Sequence, residues 1–103
     1  MTIQQEILIR EVKQEASQRI LAVLPEWKQL NLTARSVQLV NKKLAGTLSV
    51  EEGEELSAIE AIFDNSVKKI RDASDMIETE IMSITNDQLS EYPIHNNKLW
   101  PNI

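Results

Sequence analysis

The stretch LSAIEAIFDNSVKKIRDASDMIETEIMSI, residues 56–84, decides the fold. Leu56, Phe63, Ile70, Ile77 and Ile84 recur in it at strict intervals of seven. Ile59, Val67, Ser74 and Ile81 fill most of the intervening positions. An apolar seven-residue repeat held this long marks a helix packed along a coiled-coil seam. Its start is marked too. Ser49 and Glu52 have capping-box spacing, and Glu51, Glu52, Glu54 and Glu55 gather where the helix dipole favours acids. The spacing predicts one helix over 50–84, about 52 Å long at 1.5 Å per residue. That far exceeds the usual length of about three or four turns in a compact globule.

Two shorter helices precede it. Over 3–24, Thr2 and Gln5 form a second capping-box pattern, and Ile9, Val12, Ala16, Ile20 and Val23 line one face. Pro25 lacks a backbone donor and drives Leu24 towards extended geometry, which ends the helix. Pro25 also suits the first turn of the next helix. That helix runs over 26–45, or starts afresh near Thr33 after a turn. Trp27, Leu30, Ala34, Val37, Val40 and Leu44 form its apolar face, with Trp27 expected to point inward at the corner. Lys42 and Lys43 suit a helix C-terminus, and Gly46 suits a left-handed stop.

The last segment, TNDQLSEYPIHNNKLWPNI (85–103), is rich in turn formers and has no helical period. It reads as an extended arm with Tyr92, Ile94, Leu99, Trp100 and Ile103 as apolar anchors, docking on its own bundle or on a neighbour. The expected architecture is therefore all-α. A three-helix domain (1–84) forms a helical hairpin packed on one long heptad-containing helix, and an extended C-terminal arm (85–103) follows. Such a hairpin covers only part of the long helix. Its remaining seam, with burial of each Leu, Ile or Phe worth about 1.5–3 kcal/mol, calls for a helical bundle or coiled-coil oligomer. Isoleucines on the core row lean away from a simple dimer without settling the oligomer state, a trimer being one option.

Composition narrows the function. The chain has 103 residues, no cysteine and a formal charge of −5. Disulfides, thiolate catalysis and zinc–thiolate sites are excluded. No apolar run is long enough to span a bilayer, and the N-terminus lacks a signal-peptide pattern. Residues 1–46 carry seven Lys/Arg and four Glu, whereas residues 47–103 carry four Lys/Arg and twelve Asp/Glu. This distribution argues against nucleic acid as a partner and lets the two halves attract each other. His95, the only histidine, has no neighbouring ligands and reads as a solvent-facing arm residue. Asp72, Asp75 and Glu78 read as a solvated face, and Lys68, Lys69 and Arg71 as members of surface ion pairs at helical spacing. No phosphate loop, nucleophile elbow or metalloprotease motif is present. No catalytic residue, metal ligand, cofactor or small-molecule substrate is expected.

Several of these segments occur in a set order. Pro25-Glu26-Trp27-Lys28-Gln29 with Asn31 is followed by Thr33-Ala34-Arg35. Ile70-Arg71-Asp72-Ala73-Ser74-Asp75 with Ile77-Glu78 comes next, and Trp100-Pro101 closes the series. The pattern resembles a small helical module of bacteriophage and prophage tail-fibre regions, over residues 10 to 101. Leu24 stands where an aromatic residue is common in that module. The resemblance implies a structural tail component, attached to fibre or baseplate, made in the host bacterial cytoplasm and carried in the virion. A tail-fibre assembly chaperone and a small regulatory or inhibitory binding module are the alternatives. Its partners would be itself, as a homo-oligomer, and other tail or fibre proteins, with no nucleic acid or membrane. Pro25, Trp27, Ala73 and Ser74 would be packing residues, with Trp27 seated in the notch made by Ala73 and Ser74. Leu56, Phe63, Ile70, Ile77, Ile84, Tyr92, Leu99 and Trp100 would form the oligomer or partner interface.

Overall fold

The computed structural model covers residues 1–103 and is all-helical: α1 (Ile3–Val23), α2 (Glu26–Leu44), α3 (Val50–Asn65), α4 (Val67–Ser83) and a short α5 (Asn86–Leu89). The chain folds as a long hairpin of 59 × 23 × 19 Å. Its radius of gyration, 18.0 Å, is well above the roughly 13 Å of a compact chain this size. α1 pairs with α4 and α2 with α3. The partnering is antiparallel, because Gln5 reaches the Ile81 carbonyl while Lys13 pairs with Glu78.

Local chemistry sets the helix ends. The Thr2 and Ser49 hydroxyls accept from the Gln5 and Glu52 amides, and both capping boxes close reciprocally. α1 stops at Leu24, and α2 starts directly after Pro25 and runs without a second start at Thr33. At its far end the Thr47 amide donates to the Lys42 carbonyl and the Gly46 amide to that of Lys43, the paired bonds of a Schellman stop. Gly46 has φ +75°, and a Cβ there would meet nothing within 4 Å. Gly46→Ala should therefore destabilise by about 1 kcal/mol through backbone strain alone. A urea titration measures this.

The predicted 50–84 helix is divided. Ser66 (φ −127°, ψ −80°) separates α3 from α4. Its hydroxyl takes the Ile62 carbonyl that the next helical turn would have used, and its amide reaches only to Phe63. Asp64, Asn65 and Ser66 are three consecutive residues whose short polar side chains compete with helical bonding. The pairing scheme sets this interruption at the level of Leu24–Pro25, so both legs of the hairpin are interrupted at the same height.

Two apolar clusters fill the hairpin. The larger joins Val12 and Ala16 of α1, Ile70, Ala73, Ile77 and Ile81 of α4, and Leu89, Ile94 and Trp100 from the C-terminal segment. The smaller holds Leu39 of α2 with Leu56 and Ile59 of α3, flanked by Leu32, Leu48 and Phe63. The segment 85–103 is thus not an extended arm. It makes the short α5, turns through Tyr92–Asn97 and lies along α1 and α4 as a third layer. Residues such as Leu89 and Ile94 gain more from this burial than from staying in water.

Candidate functional site

No group of His, Asp and Glu side chains converges in a way that could hold a metal ion. A cleft of about 490 Å³ between Glu80, Ile84, Gln88, Tyr92 and Lys98 opens to solvent. No helix is long and apolar enough to cross a membrane. Two features stand out instead: an outward apolar face on α2 and a polar clasp over the C-terminal segment.

The α2 face reverses the expected orientation. Trp27 is 65% exposed, Leu30 64%, Val37 54% and Leu44 81%, with Ala34 and Val40 exposed beside them. The row expected to face the core points away from α3. A second stripe on the other side of α2, Leu32 and Leu39, packs inward. Charge pairs accompany the inward stripe. Arg35, on the Leu39 side, makes a bidentate pair with Glu55 (Nε–Oε1 2.8 Å, Nη2–Oε2 2.9 Å), and Lys42 pairs with Glu52. The basic side of α2 thereby faces the acids of the first turns of α3. The Lys42 ammonium, with the Ser49 amide, holds the Glu52 carboxyl down to about 2. Arg35 lowers that of Glu55.

Trp27 consequently does not occupy the Ala73–Ser74 notch. Ala73 and Ser74 are buried, but the element lying against them is α1, with Ala16 and Ile20 beside Ser74. Small side chains on both helices permit that close approach. Pro25 sits at the corner as the residue before α2. The proposed interface row is largely internal. Leu56, Ile70, Ile77 and Trp100 are buried within the chain, and Phe63, Ile84, Tyr92 and Leu99 are half-buried against its two clusters. The isoleucine row packs against the chain's own helices, so it no longer indicates stoichiometry.

The clasp was not apparent from sequence. Arg19 of α1 donates through Nη2 to the His95 carbonyl (2.7 Å) and through Nε to Glu15 (2.9 Å), and its guanidinium lies 4.9 Å above the Trp100 ring. Glu15 Oε2 is 2.8 Å from His95 Nδ1. Below them, the Trp100 indole donates to the Ile94 carbonyl (2.6 Å). Asn97, read as a turn former, is buried, donates to the Tyr92 hydroxyl and Pro93 carbonyl, and accepts from the Leu99 amide. The only advance signal was compositional: Glu15 and Arg19 at helical spacing, and aromatic residues in an otherwise polar tail.

His95 first, and then Arg19, hold the Glu15 carboxyl below its ordinary value of 4.5. A depressed folded-state value stabilises above the unfolded value and loses that contribution as pH falls through the folded one. The clasp should therefore weaken on acidification below about pH 4.5. Glu15→Gln should flatten the pH dependence of unfolding in that range. Denaturant titrations of both proteins from neutral pH downward provide the check, and identical slopes would refute the assignment.

The chain is thus an elongated all-α protein whose most conspicuous surface is an unpartnered helix face. No family model, curated protein or solved structure matches it.

Proposed function

We propose that this chain is a non-enzymatic structural component of a bacteriophage tail, associated with fibre or baseplate and acting through helix–helix contacts and its C-terminal segment. One observation carries the protein-binding part: the outward row of α2, with Trp27, Leu30 and Leu44 each more than three-fifths exposed. A contiguous apolar strip of this kind marks a protein-interaction surface. Tryptophan is enriched at binding hot spots, and Trp27 belongs to the Pro25–Asn31 segment that resembles the tail-fibre-region module. That resemblance supplies the tail context. The partners are other tail or fibre proteins and further copies of the chain.

Mass spectrometry of purified particles tests the proposal. The protein should be present in mature tails and lost with the fibre or baseplate fraction on dissociation. Presence in infected lysate but absence from particles, with the fibre protein insoluble when this chain is missing, would instead identify an assembly chaperone.

A further inference from the structure

Trp27, Leu30, Ala34, Val37, Asn41 and Leu44 follow one another at steps of 3, 4, 3, 4 and 3. This is a two-position heptad seam over about 26 Å of helix, and all six residues are exposed. The α3–α4 row of the same type is covered by the chain itself, whereas the α2 seam is covered by nothing. We infer that α2 pairs antiparallel, about a two-fold axis, with α2 of a second copy, so that two hairpins join back to back along α2 with each α3 on the outer side. This rests on α2 being a protein-binding surface and is separable from the tail assignment.

Three observations favour a second copy in this orientation. First, the seam is self-complementary when reversed. Trp27 of one copy falls opposite Leu44 of the other, Ala34 opposite Val37, and Asn41 opposite Leu30. The largest side chains therefore meet at the two ends and the smallest at the axis. A parallel pair would match Asn41 with Asn41, but would also set Trp27 against Trp27 in one layer. Second, the charges suit reversal. Glu26, the only acid on α2, lies in the first turn, and Lys42 and Lys43 lie in the last. Antiparallel pairing keeps the last-turn lysines of the two copies apart and opposes the helix dipoles, whereas parallel pairing gathers four lysines at one end. No charged residue interrupts the seam itself.

Third, the area reaches the lower bound for a specific interface when the whole exposed face is covered. Scaled by exposure, the apolar side chains of the face, Val40 included, offer roughly 600 Å² per copy, or about 1,200 Å² for the pair, the lower bound for a specific interface. A symmetric pair of like surfaces is also the commonest closed assembly.

The test uses the full-length chain. Sedimentation equilibrium at tens of micromolar should give a dimer, twice 11.8 kDa. Val37→Glu lies beside the axis and is already exposed. It should yield a monomer with unchanged far-ultraviolet helicity. Orientation is read from disulfides, since the chain has no cysteine of its own. Leu30→Cys and Asn41→Cys, mixed and oxidised, should form the mixed dimer, while neither variant cross-links alone. In an antiparallel pair, like positions lie about 16 Å apart along the axis, beyond the roughly 7 Å Cα limit of a disulfide. A monomer, a trimer, a dimer indifferent to Val37→Glu, or like-with-like disulfides would each overturn the pairing. A monomeric chain found in purified tails would overturn the pairing alone, and a dimer absent from particles would overturn the tail reading alone.

Discussion

Replacing Trp100 with alanine should lower the unfolding free energy by about 3–5 kcal/mol and free the C-terminal segment from α1 and α4. Three interactions are lost together. The indole is buried in the larger cluster, its N–H bonds the Ile94 carbonyl, and its ring lies beneath the Arg19 guanidinium. Without it, Ile94 and Leu89 have less to pack against, and Val12, Ile77 and Ile81 lose part of the layer that covers them. Total stability for a domain this size is about 5–15 kcal/mol, so the loss is a large share. Fluorescence gives a direct view, because the other tryptophan, Trp27, is mostly exposed. With Val37→Glu added to keep Trp27 out of the α2 pairing, the variant should retain only solvent-like emission and show early proteolysis within 85–103. If its stability stays within about 1 kcal/mol of the parent, the segment is not part of the cooperative fold.

That expectation also shows where sequence reasoning succeeded and where it stopped. Helix existence and most ends were legible because their causes are local: Thr2 and Ser49 cap, Pro25 interrupts and Gly46 terminates. The division at Ser66 was legible in principle from Asp64-Asn65-Ser66, but the seven-residue period runs through it undisturbed and masked the break. Phe63 and Ile70 keep their phase on either side, so the period marks the buried side and not helix continuity. The direction of α2 was not legible from apolar spacing, because both Leu32–Leu39 and Trp27–Leu44 satisfy a helical period. The inward stripe is the one that carries Arg35 and Lys42, whose partners Glu55 and Glu52 are ten to twenty residues away in sequence. The clasp was hidden for the same reason. Glu15 and His95 are separated by 80 residues, and neither has a signature alone.

Leu39→Ala should act differently from a substitution in the α1–α4 half. Leu39 is fully buried, but its cluster contains only two other buried residues, Leu56 and Ile59. A Leu-to-Ala change removes about 2–5 kcal/mol. In so small a core, that loss rivals everything that holds α2 against α3 beyond the pairs Arg35–Glu55 and Lys42–Glu52. Each pair has an exposed basic partner and contributes little. The α2–α3 half should therefore open as a unit while α1, α4 and the C-terminal segment stay folded. Hydrogen exchange should show α2 and α3 amides losing protection and α1 and α4 amides keeping theirs. Denaturant unfolding should broaden or separate into two transitions. Pairing through α2 adds a second consequence. A partner that binds only the closed hairpin stabilises it by mass action, so protection in α2 and α3 should recover as protein concentration rises. Uniform loss of protection over all four long helices would mean that the two clusters unfold as one. Recovery with concentration that persists when Val37→Glu is added would mean that the stabilising contact lies elsewhere than on the α2 seam.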